Sequence, residues 1–344
     1  MYFAIIDCGT TNSRVYILDE QFNLVSKTLK KVGVLDTVVN GSNEILKAGL
    51  KELFESTVNK AGLKISDIKF AIAFGMITSE VGLIEIPHLW APVGIGELAK
   101  GIKIVNNPEV FSVDIPMIFI RGIKNYFPEN TTYKDIRKVD FMRGEETQVA
   151  GLISLYPGLH YPVTMVVLSS HTKYIYINKE KKICSSLTTL SGQTYEAIRK
   201  DTFIGKSIKN DKSGKDENYF DTDIIDVAYN SVRNAGFLRT LMMPRFMEVL
   251  LKTEWYERKL FINTAIIAED LRTLDEFKTL NNLLYCSFVL VGHKIRSKIL
   301  GYLLKKYYGV TEKIKYIYEK EEIDQLSIGG GIIIAQKAGY LKKN

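Results

Sequence analysis

Alternating apolar and polar stretches at the start of the chain predict a β-hairpin. Residues 2–6 form a short apolar run, and a second apolar run covers residues 15–18. Between the two runs lie a carboxylate, a glycine and several short side chains with hydroxyl or amide groups. Apolar runs of this length, separated by turn-forming residues, are typical of two buried strands joined by a turn. Residues 24–29 predict a third strand.

The next elements complete a β-β-β-α-β unit. Residues 42–60 have the spacing of apolar positions expected for an amphipathic helix. Residues 69–74 predict a fourth strand, which ends at Gly75-Met76-Ile77-Thr78-Ser79. Residues 82–101 are rich in proline and glycine, which predicts loops with one short helix, and a last strand is predicted at residues 116–120. This order of elements is typical of a ribonuclease-H-like domain.

The same order of elements recurs about 160 residues later in the chain. Residues 163–168 and 174–178 predict two strands joined by the hydroxyl-rich turn Ser169-Ser170-His171-Thr172-Lys173. Residues 183–189 predict a third strand, and a helix follows from Ser191. The sequence therefore predicts an α/β chain with two ribonuclease-H-like, actin-like ATPase domains and a cleft between them for a nucleotide and a substrate.

The polar, aperiodic residues 127–138 predict the linker between these domains, so we expect domains at 1–138 and 139–344. The charged residues 206–223 predict an exposed insertion of unassigned role. Two amphipathic helices are predicted at 244–251, with Pro244 in the first turn, and at 259–274. A strand over residues 284–291 ends at Gly292 and precedes a helix at 294–307.

Composition adds a few constraints. The chain has 344 residues, of which 46% are hydrophobic and 25% charged, with a formal net charge of +7. Its lysines are spread over predicted helix faces, so we expect no nucleic-acid partner. No apolar stretch approaches the roughly 20 residues of a membrane span, and no leader precedes the first strand, so no membrane partner is expected. Three widely separated cysteines fit a reducing, cytoplasmic compartment.

The first turn is a candidate phosphate site. Gly9 allows close approach of backbone to a ligand, and Thr10, Thr11 and Asn12 offer N–H and O–H donors without bulk. Asp7, at the end of a buried strand, could hold Mg²⁺ through water. The same residues could equally form an ordinary tight turn, because aspartate and glycine are common turn formers.

A second candidate lies at the start of a predicted helix, where Arg143 and Gly144 precede Glu145 and Glu146. Acidic residues stabilise helix N-termini by roughly 0.3–1 kcal/mol without any functional role. Phosphoryl transfer to an alcohol, however, needs a carboxylate to accept or orient the hydroxyl proton. Two neighbours on a helix point about 100° apart, so only one of them can be that base.

Other chemistries lack their motifs in this sequence. The four histidines and three cysteines show no metal-ligand spacing. There is no Gly-x-x-x-x-Gly-Lys-Thr loop and no Gly-x-Ser-x-Gly elbow. Gly292, between a predicted strand and a helix, is the candidate for the adenosine side of a nucleotide. The triple glycine at residues 329–331 competes for that role, but it lies in a predicted last helix with no strand directly before it.

Four stretches together carry a resemblance to a known family. The chain resembles the 2-dehydro-3-deoxygalactonokinase family of the actin, sugar kinase and Hsp70 superfamily. The most distinctive stretch is Met142-Arg143-Gly144-Glu145-Glu146-Thr147-Gln148. The others are Asp7 to Arg14, Gly75 to Ser79, and His171-Thr172-Lys173, in the order that the family shows. The resemblance implies ATP- and Mg²⁺-dependent phosphorylation of the 6-hydroxyl of 2-dehydro-3-deoxy-D-galactonate in galactonate catabolism.

The resemblance also assigns roles to residues. It implies that Asp7 is the carboxylate associated with Mg²⁺, and that Glu145, in preference to Glu146, is the base. The phosphate and nucleotide groups would be bound by Gly9, Thr10, Thr11, Asn12, Arg14, Ser169, Ser170, His171, Thr172, Lys173 and Gly292. The sugar acid would be bound by Gly75, Met76, Ile77, Thr78 and Arg143. Arg143 could pair with the sugar-acid carboxylate, or it could be a surface arginine at a linker.

Two departures from the family pattern leave alternatives open. Ser169-Ser170 stands where the family usually has Gly-Thr, which restricts backbone approach to phosphate, and Gln193 replaces a usual glutamate. His171 is either a donor to the substrate or to phosphate, or a structural histidine. The chain could instead be a kinase for another sugar acid or polyol, or a non-catalytic actin-like nucleotide sensor. Beyond ATP and the sugar acid, the predicted partner is a second copy of the chain, in a homodimer.

Overall fold

The computed structural model describes residues 1–210, 219–281, 286–311 and 314–342. They form two compact units. The first consists of Met1–Tyr161, Ile177–Ser185 and Asp324–Asn344. The second consists of Pro162–Tyr176 and Ser186–Ile323. The predicted insertion at 206–223 falls mainly on residues 211–218, which lie outside the described residues.

The first unit is built on a six-stranded sheet with the order β3-β2-β1-β4-β7-β6. Strands β1 and β2 form the predicted hairpin, and β1 runs parallel to β4. The strands are β1 Tyr2–Cys8, β2 Ser13–Asp19, β3 Leu24–Lys30, β4 Ile68–Gly75, β6 Lys103–Val105 and β7 Met117–Phe119. A separate three-stranded sheet has the order β5-β8-β9 and comprises β5 Leu89–Trp90, β8 Ile123–Lys124 and β9 Phe141–Met142.

Helices cover both faces of the six-stranded sheet, which explains why β1 is apolar and buried from Phe3 to Ile6. On one face, Leu50 and Phe54 of the second helix pack in a core with Ile6 and Ile17. On the other face, a Cβ atom at Gly331 of the last helix would lie 3.3 Å from Ile5 Cδ1. The helices of this unit are α1 Val34–Asn40, α2 Glu44–Lys60, α3 Ile95–Gly101, α4 Glu145–Leu155 and α11 Lys320–Lys337.

The second unit repeats the plan around a five-stranded sheet with the order β12-β11-β10-β13-β14. Strand β10 runs parallel to β13, as β1 does to β4. The strands are β10 Val163–Leu168, β11 Thr172–Ile177, β12 Ile183–Thr189, β13 Ser287–Gly292 and β14 Lys315–Ile317. The helices are α5 Ser191–Asp201, α6 Ile204–Ser207, α7 Thr222–Ala235, α8 Phe237–Val249, α9 Trp255–Asn281 and α10 Lys294–Tyr308. The mixed α/β fold class, the β-β-β-α-β order of the first unit and the β-β-β-α order that begins the second unit are confirmed.

Two predicted boundaries differ from the structure. Pro244 does not lie in a first helical turn, because α8 begins at Phe237, directly after Gly236 with φ 83°. The compact units do not divide at 138/139 either, because α4 packs closely on α11 within the first unit. A Cβ atom at Gly151 would lie 2.0 Å from the Leu326 carbonyl oxygen, and one at Gly330 would lie 1.8 Å from that of Thr147. A functional division at residue 138 stays a prediction.

Candidate functional site

The first turn comprises residues 9–12, between β1 and β2. Gly9 N–H donates to the Asn12 carbonyl at 2.9 Å, which closes the turn. The first residues of α1 also bind the turn, since Leu35 N–H donates to the Thr10 carbonyl at 2.9 Å. Among the described residues, the N–H groups of Thr10, Thr11 and Asn12 donate no hydrogen bond. Successive free N–H groups in a turn are suited to bind an anion such as phosphate.

Two glycines bring other segments close to this turn. Gly75, at the end of β4, has φ 85°, and a Cβ atom there would lie 2.5 Å from the Cys8 carbonyl oxygen. Gly144, directly before α4, has φ 110°, and its Cβ position lies 3.5 Å from Gly75 Cα. L-residues rarely adopt such positive φ angles, so glycine is needed at both positions. The start of α4 therefore lies beside the carboxyl end of β4, the strand that runs parallel to β1.

The two glutamates at the start of α4 have different surroundings. Glu146 is 0% exposed, and both of its carboxylate oxygens accept from Gly144 N–H, at 2.9 and 2.8 Å. Burial raises the pKa of Glu146 to about 8, and the neighbouring charge of Glu145 adds to this rise. Glu145 is only half-buried, and its charge contributes to raising the pKa of Asp7. The charge of Glu145 therefore acts on Asp7, while Glu146 accepts from the backbone N–H of Gly144 at the start of the helix.

Asp7 lies in a charged environment that sequence reasoning missed in part. Its pKa is raised, chiefly by burial, and the nearby Arg14 opposes that rise. Arg14 Nη1 lies 3.6 Å from Asp7 Oδ2. Asp324 of α11 also raises the pKa of Asp7, and Ser327 Oγ donates to Asp7 Oδ2 at 3.5 Å. No local pattern marked Asp324 or Ser327, because only the packing of α11 places them here.

Most of the predicted sugar-acid residues contact one another. Arg143 donates to Thr78 Oγ1 at 2.7 Å and to the Ile86 carbonyl at 2.9 Å, and it lies 3.4 Å from His88 Nδ1. Thr78 is fully buried and donates to the Gly75 carbonyl at 3.1 Å. Burial lowers the pKa of Arg143, although nearby carboxylates oppose that change.

The rest of the predicted stretch contributes to packing. The Ile77 side chain is part of the core of the first unit, and Met76 packs against that core. Contact of these two residues with a ligand would therefore involve mainly backbone atoms.

The second hairpin has a shorter turn of different chemistry. Ser169 N–H donates to the His171 carbonyl at 3.0 Å, and Ser170 Oγ lies 3.2 Å from His171 Nδ1. Gln193 N–H donates to the Ser170 carbonyl at 2.8 Å, so α5 holds this turn as α1 holds the first. Gly192 permits that approach, because a Cβ atom there would lie 2.1 Å from the Ser169 carbonyl oxygen.

The residues that follow this turn point into the second unit. Lys173 is 6% exposed and donates to Thr188 Oγ1 at 2.7 Å, and Thr172 is also buried. Gly292, at the end of β13, has φ 114°, and a Cβ atom there would lie 2.2 Å from the Leu168 carbonyl oxygen. Gly292 therefore has the same relation to the second hairpin that Gly75 has to the first.

A buried carboxylate behind the second hairpin was also missed by sequence reasoning. Asp270 of α9 accepts at Oδ1 from Thr189 Oγ1 at 2.6 Å and from Ser191 Oγ. Burial raises the pKa of Asp270, while these hydroxyls and Thr172 oppose the rise. Asp270 thus ties the end of β12 to the start of α5, next to the turn.

The donor set suits a magnesium nucleotide better than a metal held by protein alone. Among the described residues, no group of three or more His, Cys, Asp or Glu side chains could hold a metal ion. Mg²⁺ usually keeps several waters and takes one or two carboxylates together with substrate phosphates. Asp7, beside the free N–H groups of the first turn, fits that arrangement.

The repeated β-β-β-α-β units, each with a hairpin turn held by a helix start, define the class of protein as an actin-like ATPase fold of the sugar kinase type. The chain belongs to the 2-keto-3-deoxy-galactonokinase family, whose model matches residues 7–296. Within the described residues, no helix is long and apolar enough to cross a membrane.

Individual relatives agree with this assignment. A protein of Rhizobium meliloti (strain 1021), named as a candidate 2-dehydro-3-deoxygalactonokinase, is 23% identical over 208 residues. That alignment covers 60% of this chain and 59% of the relative, so it spans less than two thirds of either.

Solved structures show the same fold over the whole length. A Sinorhizobium meliloti protein, described as a candidate 2-dehydro-3-deoxygalactonokinase, has a TM-score of 0.73 at 16% identity, covering 99% of this chain and 98% of the other. Component A of (R)-2-hydroxyglutaryl-CoA dehydratase from Acidaminococcus fermentans has a TM-score of 0.51 at 11% identity. That match covers 98% of this chain and 99% of the other.

Proposed function

We propose that this protein transfers the γ-phosphoryl group of ATP to the 6-hydroxyl of 2-dehydro-3-deoxy-D-galactonate. Family membership supports the reaction class. The observation that carries the proposal is the arrangement of Glu145, Asp7 and the open turn 9–12 within one compact unit. A base, a carboxylate for the metal and free phosphate donors are the groups that phosphoryl transfer to an alcohol requires.

Each group has a distinct role in this proposal. Glu145 accepts the proton of the 6-hydroxyl as that oxygen attacks phosphorus. The free N–H groups of Thr10, Thr11 and Asn12 bind phosphate oxygens, and Arg14 neutralises their charge. Mg²⁺, associated with Asp7, would neutralise phosphate charge when bound. Glu146 keeps the start of α4 in place rather than taking part in proton transfer.

The remaining predicted contacts complete the proposal. The second turn, with Ser169, Ser170 and His171, offers hydroxyl and imidazole groups to the phosphates, and Gly292 lies on the adenosine side. The buried positions of Thr172 and Lys173 support a structural contribution from these two residues. Three free cysteines support the proposed cytoplasmic compartment. A homodimer stays a prediction, which sedimentation of the purified protein would test.

One observation favours a second acceptor class. The Nη1 and Nη2 groups of Arg143 already donate to Thr78 and to the Ile86 carbonyl, so recognition of a carboxylate would need its remaining donors. This arrangement would also serve a kinase for a different sugar acid or for a polyol without a carboxylate.

The test is ADP release in a coupled assay with ATP and Mg²⁺. The acceptors are 2-dehydro-3-deoxy-D-galactonate, its gluconate epimer and a polyol panel, and the enzymes are wild type, Glu145→Gln and Glu146→Gln. We expect turnover with the galactonate compound and a loss of about 10²–10⁴-fold in kcat for Glu145→Gln, the range of general base catalysis. Glu146→Gln is the matched control and keeps most of the activity.

Two outcomes would contradict the proposal. Equal losses of kcat in Glu145→Gln and Glu146→Gln would contradict the role of Glu145 as the base. ATP binding by wild type without turnover on any acceptor would favour a nucleotide sensor, with the Ser169-Ser170 departure as the leading explanation.

A further inference from the structure

Helix α11 places a buried carboxylate, that of Asp324, against the sheet at the first hairpin. Asp324 is 6% exposed and lies over the face of the sheet that carries Asp7 and Arg14. These two residues are direct partners in the pairing of β1 with β2, while Tyr16 and Lys27 are partners in the pairing of β2 with β3. Paired residues of adjacent strands share a face, and so do alternate residues of one strand, such as Arg14 and Tyr16. All four side chains therefore lie on the face of the sheet near Asp324.

Fixed donors hold the Asp324 carboxylate in place. Tyr16 O–H donates to Oδ1 at 2.7 Å, and Lys27 Nζ donates to Oδ2. The Tyr16 side chain is fully buried and has little freedom to move. Asp324 is therefore a fixed negative charge rather than a mobile one.

Arg14 lies between two carboxylates and makes close contact with neither. Its Nη1 is 3.6 Å from Asp7 Oδ2, and its Nε is 3.8 Å from Asp324 Oδ1. Among the described residues, the buried Nε has no hydrogen-bond partner. A guanidinium carries five N–H donors, so Arg14 keeps donors for an anionic ligand while its charge is balanced from two sides.

We propose that Asp324 is a positioning residue, whose carboxylate keeps the Arg14 guanidinium at 3.6 Å from Asp7, short of a hydrogen bond, and ready to donate to nucleotide phosphate. The inference rests on the proposed function, because it takes the first turn as the phosphate site.

The electrostatic consequence of losing Asp324 follows directly. In Asp324→Asn, the Tyr16 hydroxyl can still donate to the side-chain carbonyl, but the attraction between this position and Arg14 is lost. The Lys27 ammonium also loses its anionic partner, so its repulsion and the attraction of Asp7 both move Arg14 towards Asp7. A close pair of Arg14 with Asp7 would occupy donors that phosphate needs. The carboxylate of Asp7 would also be less available to a metal ion.

The experiment measures nucleotide binding and turnover separately. Calorimetry gives the Kd of ATP with Mg²⁺ in the absence of sugar acid, and the coupled assay gives KM for each substrate. The proteins are wild type, Asp324→Asn, Asp324→Glu and the control Asp226→Asn. Asp226 is an equally well-bound carboxylate of the second unit, which accepts from Tyr302, Lys306 and Tyr307.

For Asp324→Asn we expect the Kd and KM of ATP to rise about tenfold, as for loss of one charged hydrogen bond, with the KM of the sugar acid unchanged. Asp324→Glu keeps the charge and should lie closer to wild type. Asp226→Asn should lower the thermal unfolding temperature without changing the Kd of ATP. This separation distinguishes positioning of Arg14 from a general loss of stability.

Other outcomes would overturn the inference. If Asp324→Asn lowers the unfolding temperature but leaves the Kd of ATP unchanged, Asp324 is only structural. If Asp324→Glu loses as much affinity as Asp324→Asn, the charge is not the cause. Wild type that binds ATP without turnover refutes the proposed reaction alone, and the Kd values still decide on Asp324. Wild type that binds no nucleotide refutes both.

Discussion

The two hairpins share a backbone arrangement but differ in their side chains. In each unit, the strand that runs parallel to the hairpin's first strand ends at a glycine with positive φ. Gly75 of β4 pairs with Cys8, and Gly292 of β13 pairs with Leu168. In each unit, a second glycine lets a helix start approach the carbonyl groups of the turn, as Gly33 and Gly192 do. The repeated feature is therefore backbone geometry, which glycine at these positions permits.

Charge is distributed differently around the two turns. Asp7, Arg14 and Asp324 lie beneath the first turn, with Glu145 near them. Around the second turn, the hydroxyl groups of Thr189 and Ser191 donate to the buried carboxylate of Asp270, and the buried Lys173 lies in β11, directly after the turn. The two turns thus share their backbone geometry, while acidic side chains gather around the first turn and hydroxyl groups around the second.

The largest expected effect comes from removing charge at the first turn. Asp7→Asn should lower kcat by about 10²–10³-fold, because a preorganised charge near the reacting phosphate is lost. Ser170→Ala in the second turn should cost less than about tenfold, since it removes one neutral hydrogen-bonding group. The coupled ADP assay at saturating substrate measures both, with circular dichroism as the check on folding. Equal losses would show that the second turn matters as much as the first.

The shared backbone arrangement should respond alike in both units. Gly75→Ala and Gly292→Ala should each lower the free energy of unfolding by about 2–4 kcal/mol, since a positive φ and a Cβ clash add up. Gly62→Ala, with φ 71° and no atom within 4 Å of its Cβ position, is the matched control and should cost about 1 kcal/mol.

The measurement is urea unfolding followed by tryptophan fluorescence. Trp90 lies in the first unit and Trp255 in the second, and the chain contains two tryptophans, so single-Trp variants report on each unit. A loss in Gly292→Ala no larger than in Gly62→Ala would contradict the equivalence of the two glycines.

A smaller effect is expected on the pH dependence of the free energy of unfolding. It comes from Glu146, a residue of the first unit. Its pKa is about 8 in the folded chain and 4.5 in the reference state, so between these values the folded chain holds the extra proton. Stability from this residue is therefore complete below about pH 4.5 and is lost as the pH rises towards 8.

Urea unfolding at pH 5 and pH 8 checks this prediction. Wild type should lose about 1–3 kcal/mol more than Glu146→Gln over that interval. The same loss in both proteins would mean that Glu146 is already ionised in the folded chain at pH 5.

Local sequence features predicted much of the fold. Strands β10 and β12 have the predicted bounds, and α4 begins directly after Gly144 as expected. The short strands β5, β8 and β9 were not predicted, because two residues each provide no periodicity. The start of α8 at Phe237 was missed because the prediction took Pro244 as a residue of the first helical turn.

Local patterns along the chain were enough to specify the hairpins, their turn residues and the pair of glutamates at a helix start. These features depend on apolar runs, turn formers and caps, which act over a few neighbouring residues. Three relations came from packing instead: Glu146 is the buried glutamate, Arg143 donates to Thr78, and Asp324 lies beside Arg14. Those relations depend on how distant helices pack on a sheet, and desolvation and charge pairing follow from that packing rather than from any local pattern.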